Sequence, residues 1–182
     1  MILRSFEGIF FPEEEEAFFD IISDIEGFEQ VSIIGYMDSI KLPIPNAPDS
    51  VNLSTANTAQ HVLADCANSS SLICNVQLDL IVLRSKWREA YIKSGRLFKL
   101  GIHNRSSSAK GKTKEARETD IEVQMGDICT LHYYIERQVE ALDSLFEALK
   151  ARMEQFDRVH KTVSRQVTIL DMMMTHQTGG KL

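Results

Sequence analysis

Residues 135–174 read IERQVEALDSLFEALKARMEQFDRVHKTVSRQVTILDMMM. In this stretch Ile135, Val139, Leu142, Phe146, Leu149, Met153, Phe156, His160, Val163, Val167, Leu170 and Met174 follow one another in steps of four and three. Eleven of these twelve are apolar, and neither proline nor glycine interrupts the series. That period keeps one face of a helix apolar for almost six heptads, the pattern of a coiled coil or a long bundle helix. A helix of about 45 residues is roughly 65 Å long at the α-helical rise, too long for a compact domain of this size to wrap. The seam therefore needs a partner helix from its own chain, from another subunit, or both. On this reading Ile135, Val139, Leu142, Phe146, Leu149, Met153 and Phe156 are the oligomerisation residues, and the protein is expected to be a homo-oligomer.

Upstream of the seam, Ile73, Val76, Leu80, Leu83, Trp87, Ala90 and Leu97 repeat at three- and four-residue intervals, broken at Ser94. This predicts a first long helix over about residues 72–101, following a helical stretch that starts near Ser54 and pauses at Asn68–Ser71. Gly101–Ala116, with two glycines and Ser106-Ser107-Ser108, reads as a mobile basic loop, expected to stay disordered until it meets an anion. The second long helix is predicted over about 118–174. Before all this, Pro12 followed by Glu13–Glu16 opens a short helix, since proline tolerates the first helical position and acids suit the positive end of the helix dipole. Val31–Tyr36 fits either a strand or a buried helical turn. Pro43, Pro45 and Pro48 mark an extended connector. The expected fold is mainly α: a long antiparallel helical hairpin or coiled coil over 51–182, with a small acidic N-terminal module of uncertain class over 1–50.

The chain has 182 residues and a net charge of -6, but its charge is unevenly distributed. Residues 1–30, 31–83, 84–117 and 118–182 carry net charges of -8, -3, +9 and -4. The basic block comprises Arg84, Lys86, Arg88, Lys93, Arg96, Lys99, Arg105, Lys110, Lys112, Lys114 and Arg117, and it is the candidate nucleic-acid-binding segment. The alternative is a solvated basic face, or one paired with the acidic N-terminus. No uninterrupted apolar run approaches the ~18–20 residues of a membrane span, and the N-terminus lacks the layout of a secretory signal. Three cysteines without a CxxC spacing fit free thiols in a reducing cytoplasm.

No known catalytic spacing is present. Gly111-Lys112-Thr113 resembles the end of a phosphate-binding loop, but Ser106 stands where that motif needs its first glycine. There is no HExxH, no tetrahedral Cys/His set and no GxSxG, so neither a metal, a cofactor nor an enzyme is expected. Glu13–Glu16 are consecutive and point around a helix, which predicts a solvated face. Cys66 and Cys74 are expected as buried small hydrophobes. Trp87, Tyr91 and Phe98 are interleaved with bases, as in single-strand binders, but their helical angles put them on the apolar stripe and favour a core role.

The run Leu83-Arg84-Ser85-Lys86-Trp87, followed by a basic helix, a Gly/Ser loop and a long second helix, resembles the UvsY-type recombination mediators of tailed phages over roughly residues 72–175. The resemblance implies a small, all-helical, oligomeric, non-enzymatic protein that binds single-stranded DNA. It also implies partnership with a RecA-like recombinase and a single-strand-binding protein, with Ser85, Lys86, Trp87 and the bases around them as possible DNA contacts. The competing expectation is a coiled-coil adaptor or assembly protein that binds no nucleic acid.

Overall fold

The computed structural model describes residues 10–28 and 33–179, and among them every regular element is an α-helix. The helices are α1 (Pro12–Glu26), α2 (Ile33–Ile40), α3 (Ala56–Arg105), α4 (Lys114–Gln124) and α5 (Gly126–Gly179). The long helices α3 and α5 pack against each other as a hairpin. Contacts gather the chain into two units, Met1–Ser32 with Ile81–Asp143 and Ile33–Leu80 with Ser144–Leu182.

In the first unit, α1 begins where the sequence places it. Pro12 occupies the first turn, and the Glu14 carboxylate reaches back to accept from the Phe11 amide at 3.3 Å, satisfying one of the orphan N–H groups of the helix start. Phe18, Ile21 and Ile25 form its buried face. The later part of α3 contributes Leu83, Trp87, Ala90 and Leu97 to the core; the start of α5 contributes Ile128, Leu131, Ile135 and Leu142. Their antiparallel order is fixed by three cross-links: Ser94 with His132, Tyr91 with Glu136, and Arg84 with Asp143.

In the second unit, Ala59, Val62, Cys66, Ile73 and Leu80 of α3 and Leu145, Leu149, Phe156 and Val163 of α5 are buried. The proline connector is held by side chains of α5. The Arg152 guanidinium donates to the Leu42 carbonyl, and the Gln166 amide donates to that of Asp49. Asn52 Oδ1 accepts from the amides of Ser54 and Thr55 at 2.9 and 3.2 Å, turning the chain into α3.

Several expectations are revised. No pause occurs at Asn68–Ser71; α3 runs unbroken for 50 residues. Serine and asparagine cost a helix only a few tenths of a kcal/mol each, and burial of Cys66 and Ile73 on either side of them outweighs that local preference. The end moves too, since α3 continues through Gly101 to Arg105, so the loop shrinks to residues 106–113. The predicted second helix is two helices, divided at Met125 ahead of Gly126. Of the ambiguous Val31–Tyr36, Ile33–Tyr36 lie in α2, while Val31 and Ser32 fall outside the described residues. Of the pair Cys66 and Cys74, Cys66 is buried and Cys74 is exposed.

The seam is divided between buried and half-buried positions. Ile135, Leu142, Leu149 and Phe156 are fully buried within the chain, and Val139, Phe146 and Met153 are half-buried. α3 starts at Ala56 and not near residue 72, so it is nearly as long as the 54-residue α5; the chain itself covers Ile135, Leu142, Leu149 and Phe156, while Val139, Phe146 and Met153 keep part of their surface exposed.

Candidate nucleic-acid interface

Much of the basic block is already engaged. Asp143 accepts from Arg84 Nε at 2.7 Å and from an Arg88 terminal nitrogen at 2.9 and 3.1 Å. Burial alone would raise the Asp143 pKa, but the hydrogen bonds and charges of the two arginines outweigh it and hold the carboxyl below its ordinary value. Lys93 Nζ lies 2.7 Å from Asp24 of α1 and 3.4 Å from Glu89. Lys86 sits over the Phe28 ring, 5.7 Å from its centroid. Lys114 lies 3.7 Å from Glu118, and Arg117 Nε donates to the Gly111 carbonyl at 3.0 Å.

Arg105 departs furthest from its expected role as a phosphate contact in a mobile loop. Its side chain is 4% exposed and forks onto the fully buried Glu14 carboxylate at 2.7 and 2.9 Å. Asn104 donates to the same carboxylate at 2.9 Å, and the guanidinium lies 5.2 Å from the Phe11 ring centroid. Burial pushes the Glu14 pKa up, yet the donors and the adjacent positive charge hold it below the usual value. Glu14 was expected on a solvated face. Consecutive glutamates do point around a helix, but α1 is docked along α3, so one of the four must face inward. Arg105 is the partner that makes this tolerable.

The remaining bases are differently placed. Among the described residues, Arg96, Lys99, Lys110 and Lys112 are exposed, and their side chains form no hydrogen bond or ion pair. Arg96 and Lys99 lie three residues apart on the outward side of α3. Lys110 and Lys112 project from a loop that is shaped by specific contacts. The Lys110 amide donates to Asp120 at 2.7 Å, and Thr113 caps α4 by accepting from the Ala116 amide at 3.2 Å. Gly111 has φ 157°, and a Cβ there would come within 2.9 Å of the backbone of Ala116 and Arg117, so only glycine fits the turn.

Of the aromatic residues of the block, Trp87 is buried and Tyr91 and Phe98 are half-buried. Trp87 is buried, with its ring 6.0 Å from Tyr134 and 5.7 Å from Phe28, both edge-on. His132 stacks on Tyr91 at 5.2 Å and tilts against Phe98 at 5.1 Å, with Nδ1 2.9 Å from the buried Ser94 hydroxyl. That hydroxyl also bonds the Tyr91 carbonyl at 3.0 Å. With its proton directed at that carbonyl, the Ser94 oxygen is placed to accept from an Nδ1–H tautomer of His132. Burial lowers the His132 pKa, opposed by the charge of Glu136. This polar pair explains why the apolar stripe is interrupted at Ser94. Glu14 and Asp24 belong to the acidic N-terminus that the sequence offers as an alternative partner of the basic block, and they pair with Arg105 and Lys93; Asp143 has no such signal, because its pairing depends on how α5 lies against α3.

Among the described residues no three His, Cys, Asp or Glu side chains group as metal ligands would. One helix, α3, contains a stretch long and apolar enough to cross a membrane by length and composition, with 28% of it buried in the fold. Compared with family models, curated proteins and solved structures, the chain matches none.

Proposed function

We propose that this is a non-enzymatic protein that binds single-stranded nucleic acid electrostatically, and that it acts in the cytoplasm as a recombination mediator. The observation that carries the reading is the division of the basic block. Seven of its eleven bases are tied to carboxylates, a carbonyl or an aromatic face, whereas Arg96, Lys99, Lys110 and Lys112 are exposed without such ties. In a chain of net charge -6, leaving four exposed cations in one segment of 17 residues provides local attraction for a polyanion. Flexible lysines and arginines that neutralise phosphates release condensed counterions, a term that carries no sequence information. The preference for single-stranded DNA, and a RecA-like recombinase and a single-strand-binding protein as partners, follow from the resemblance to UvsY-type mediators.

A second reading, the coiled-coil adaptor, draws on a different feature. Ile169, Met172 and Met173 near the end of α5 are each more than half exposed, which suits protein docking. A salt-dependent gel shift with single-stranded and duplex DNA separates the two. The mediator reading expects retardation of the single strand that fades as salt rises. No retardation of either DNA at low salt would leave the adaptor reading alone.

A further inference from the structure

The unbroken helix α3 carries a second series of three- and four-residue steps, on the arc away from its buried stripe of Ile73, Leu80, Leu83 and Trp87. Ala67, Ser71, Cys74, Leu78, Ile81 and Ser85 make up this series, and all six are exposed and uncharged. Leu78 is 58% exposed and Ile81 49%, and Val82 beside them is 58% exposed. A single exposed leucine is ordinary, but large apolar side chains on adjacent turns of one uncharged face mark a surface that another body covers. The heptad spacing suits a helix as that body, because alternate three- and four-residue steps keep a narrow seam in register with a partner helix. Charge narrows the choice further. From Ala56 to Leu83, α3 holds Asp65 and Asp79 and no lysine or arginine. From Arg84 to Arg105 it holds seven bases against Glu89 alone. Among the described residues Asp65 and Asp79 are exposed and in no ion pair, and the same is true of Lys86, Arg96 and Lys99. The apolar stretch is thus flanked by acids only, which repel an anionic membrane or a nucleic acid, while the bases that could answer those acids lie farther along the same helix.

We infer that this face of α3 pairs with the same face of a second copy of the chain, the two helices running antiparallel. That arrangement sets the acidic part of each helix against the basic part of the other, whereas a parallel pair sets Asp79 beside Asp79 and bases beside bases. It also matches the side chains by size. With the two-fold axis between residues 79 and 80, Leu78 meets Ile81 of the second copy and Cys74 meets Ser85, each twice by symmetry. Farther out, the small Ala67 meets Ile92, which is 56% exposed, so bulk faces space as close helix packing requires. A homo-oligomer is therefore built on the outer side of α3, since Ile135, Leu142, Leu149 and Phe156 of α5 are covered within the chain. The inference is independent of nucleic-acid binding.

The test combines sedimentation velocity with thiol cross-linking, on the full chain and without DNA. At micromolar concentration the wild type should sediment with twice the monomer mass. Leu78→Glu alters an exposed side chain and should give a monomer with unchanged helicity by circular dichroism. Ser85→Cys supplies the second measurement. Mild oxidation should link its new thiol to Cys74 of the second copy and yield a covalent dimer. Within one chain these positions lie about 16 Å apart along the helix, beyond the reach of a disulfide, so any such bond joins two chains. In the wild type the two Cys74 thiols are kept equally far apart and should stay unlinked, and Cys66 and Cys129 are buried. A monomeric wild type would overturn the inference, as would a Leu78→Glu variant that remains dimeric. Cross-linking of the wild type through Cys74, with no gain from Ser85→Cys, would show a parallel pair and overturn the antiparallel one. A monomer that floats with vesicles of phosphatidylcholine and phosphatidylglycerol would give the face to a membrane instead. If Leu78→Glu lost helicity, the Ser85→Cys cross-link would decide alone: its formation supports the pairing and its absence overturns it.

Discussion

The two units of the chain are built from stretches of the same two long helices, yet they bury different chemistry. In the unit of Ile33–Leu80 and Ser144–Leu182 the core is apolar: Ile73, Leu149, Phe156 and Val163 are completely covered, and Ser39 is its one buried polar residue among those described. The unit of Met1–Ser32 and Ile81–Asp143 buries Glu14, Arg105 and Ser94 and sets His132 among aromatic rings. An apolar core is strong but tolerant of sliding, because its contacts are non-directional. Buried polar pairs contribute less net stability, since desolvation opposes them, but any misalignment leaves a charge or hydroxyl unsatisfied. The unit with the basic block thus has its helix register specified by hydrogen bonds, and it is also the pH-sensitive one.

The largest effect should come from the apolar unit. Leu149→Asp places an unpaired charge at a fully buried position, a change expected to exceed about 4 kcal/mol and to unfold that unit in thermal melts. Because the chain covers Leu149 itself, loss of helicity is expected whatever the oligomeric state. Retained helicity with only a change in native mass would restore the view that the seam belongs to a second chain.

The polar unit should respond differently to single and paired changes. Arg105→Ala leaves Glu14 buried without its cation and should cost about 3–5 kcal/mol. Combining Glu14→Leu with Arg105→Met should recover most of that loss, because packed apolar groups replace a buried pair at little cost. Trp87, the single tryptophan of the chain, lies in this unit, so its fluorescence reports the loss directly. A double variant no more stable than Arg105→Ala would mean the pair does more than balance its own charges.

The pH response sharpens the same contrast. His132 has a folded pKa below its ordinary 6.5, so the unfolded chain takes up a proton first and stability declines as the pH falls below 6.5 toward the folded value. Glu14 and Asp143 are also lowered. Their contributions are present above the ordinary values of 4.5 and 3.8 and are lost as the pH drops through the folded ones. Denaturation followed by Trp87 fluorescence should show both windows. His132→Phe should abolish the upper one and leave the lower intact. An unchanged decline below pH 6.5 in that variant would assign it to another group.

The smallest effect is expected at the half-exposed Lys93–Asp24 pair. Asp24→Asn should shift the urea midpoint least of these variants, as is usual for solvent-screened pairs. A larger loss in urea titrations would show that this pair, and not the apolar face of α1, holds α1 in place.

What was legible in the sequence follows the same division. The seam Ile135–Phe156 and the stripe Ile73–Leu97 are periodic, and periodicity reports which face of a helix is buried; both were readable, as was the start of α1 at Pro12. The extent of α3 was not, because Asn68–Ser71 look locally like a cap and only packing around Cys66 and Ile73 carries the helix through them. Among the bases, composition located the block but could not separate Arg105, held by Glu14, from Lys110, whose side chain is exposed. That difference depends on contacts between residues some 90 positions apart, which no local spacing encodes.

The most direct test of the central claim is the salt dependence of single-stranded DNA binding by the wild type and by a variant with Arg96, Lys99, Lys110 and Lys112 all changed to alanine. Each phosphate contact contributes about -0.7 to the slope of log K against log salt on a single strand, so four contacts give a slope near -2.8. The account predicts a wild-type slope of about that size, and a variant that stays folded but binds weakly with a nearly flat slope. An affinity and slope unchanged in the variant would contradict it, and would return these four cations to the role of a solvated surface.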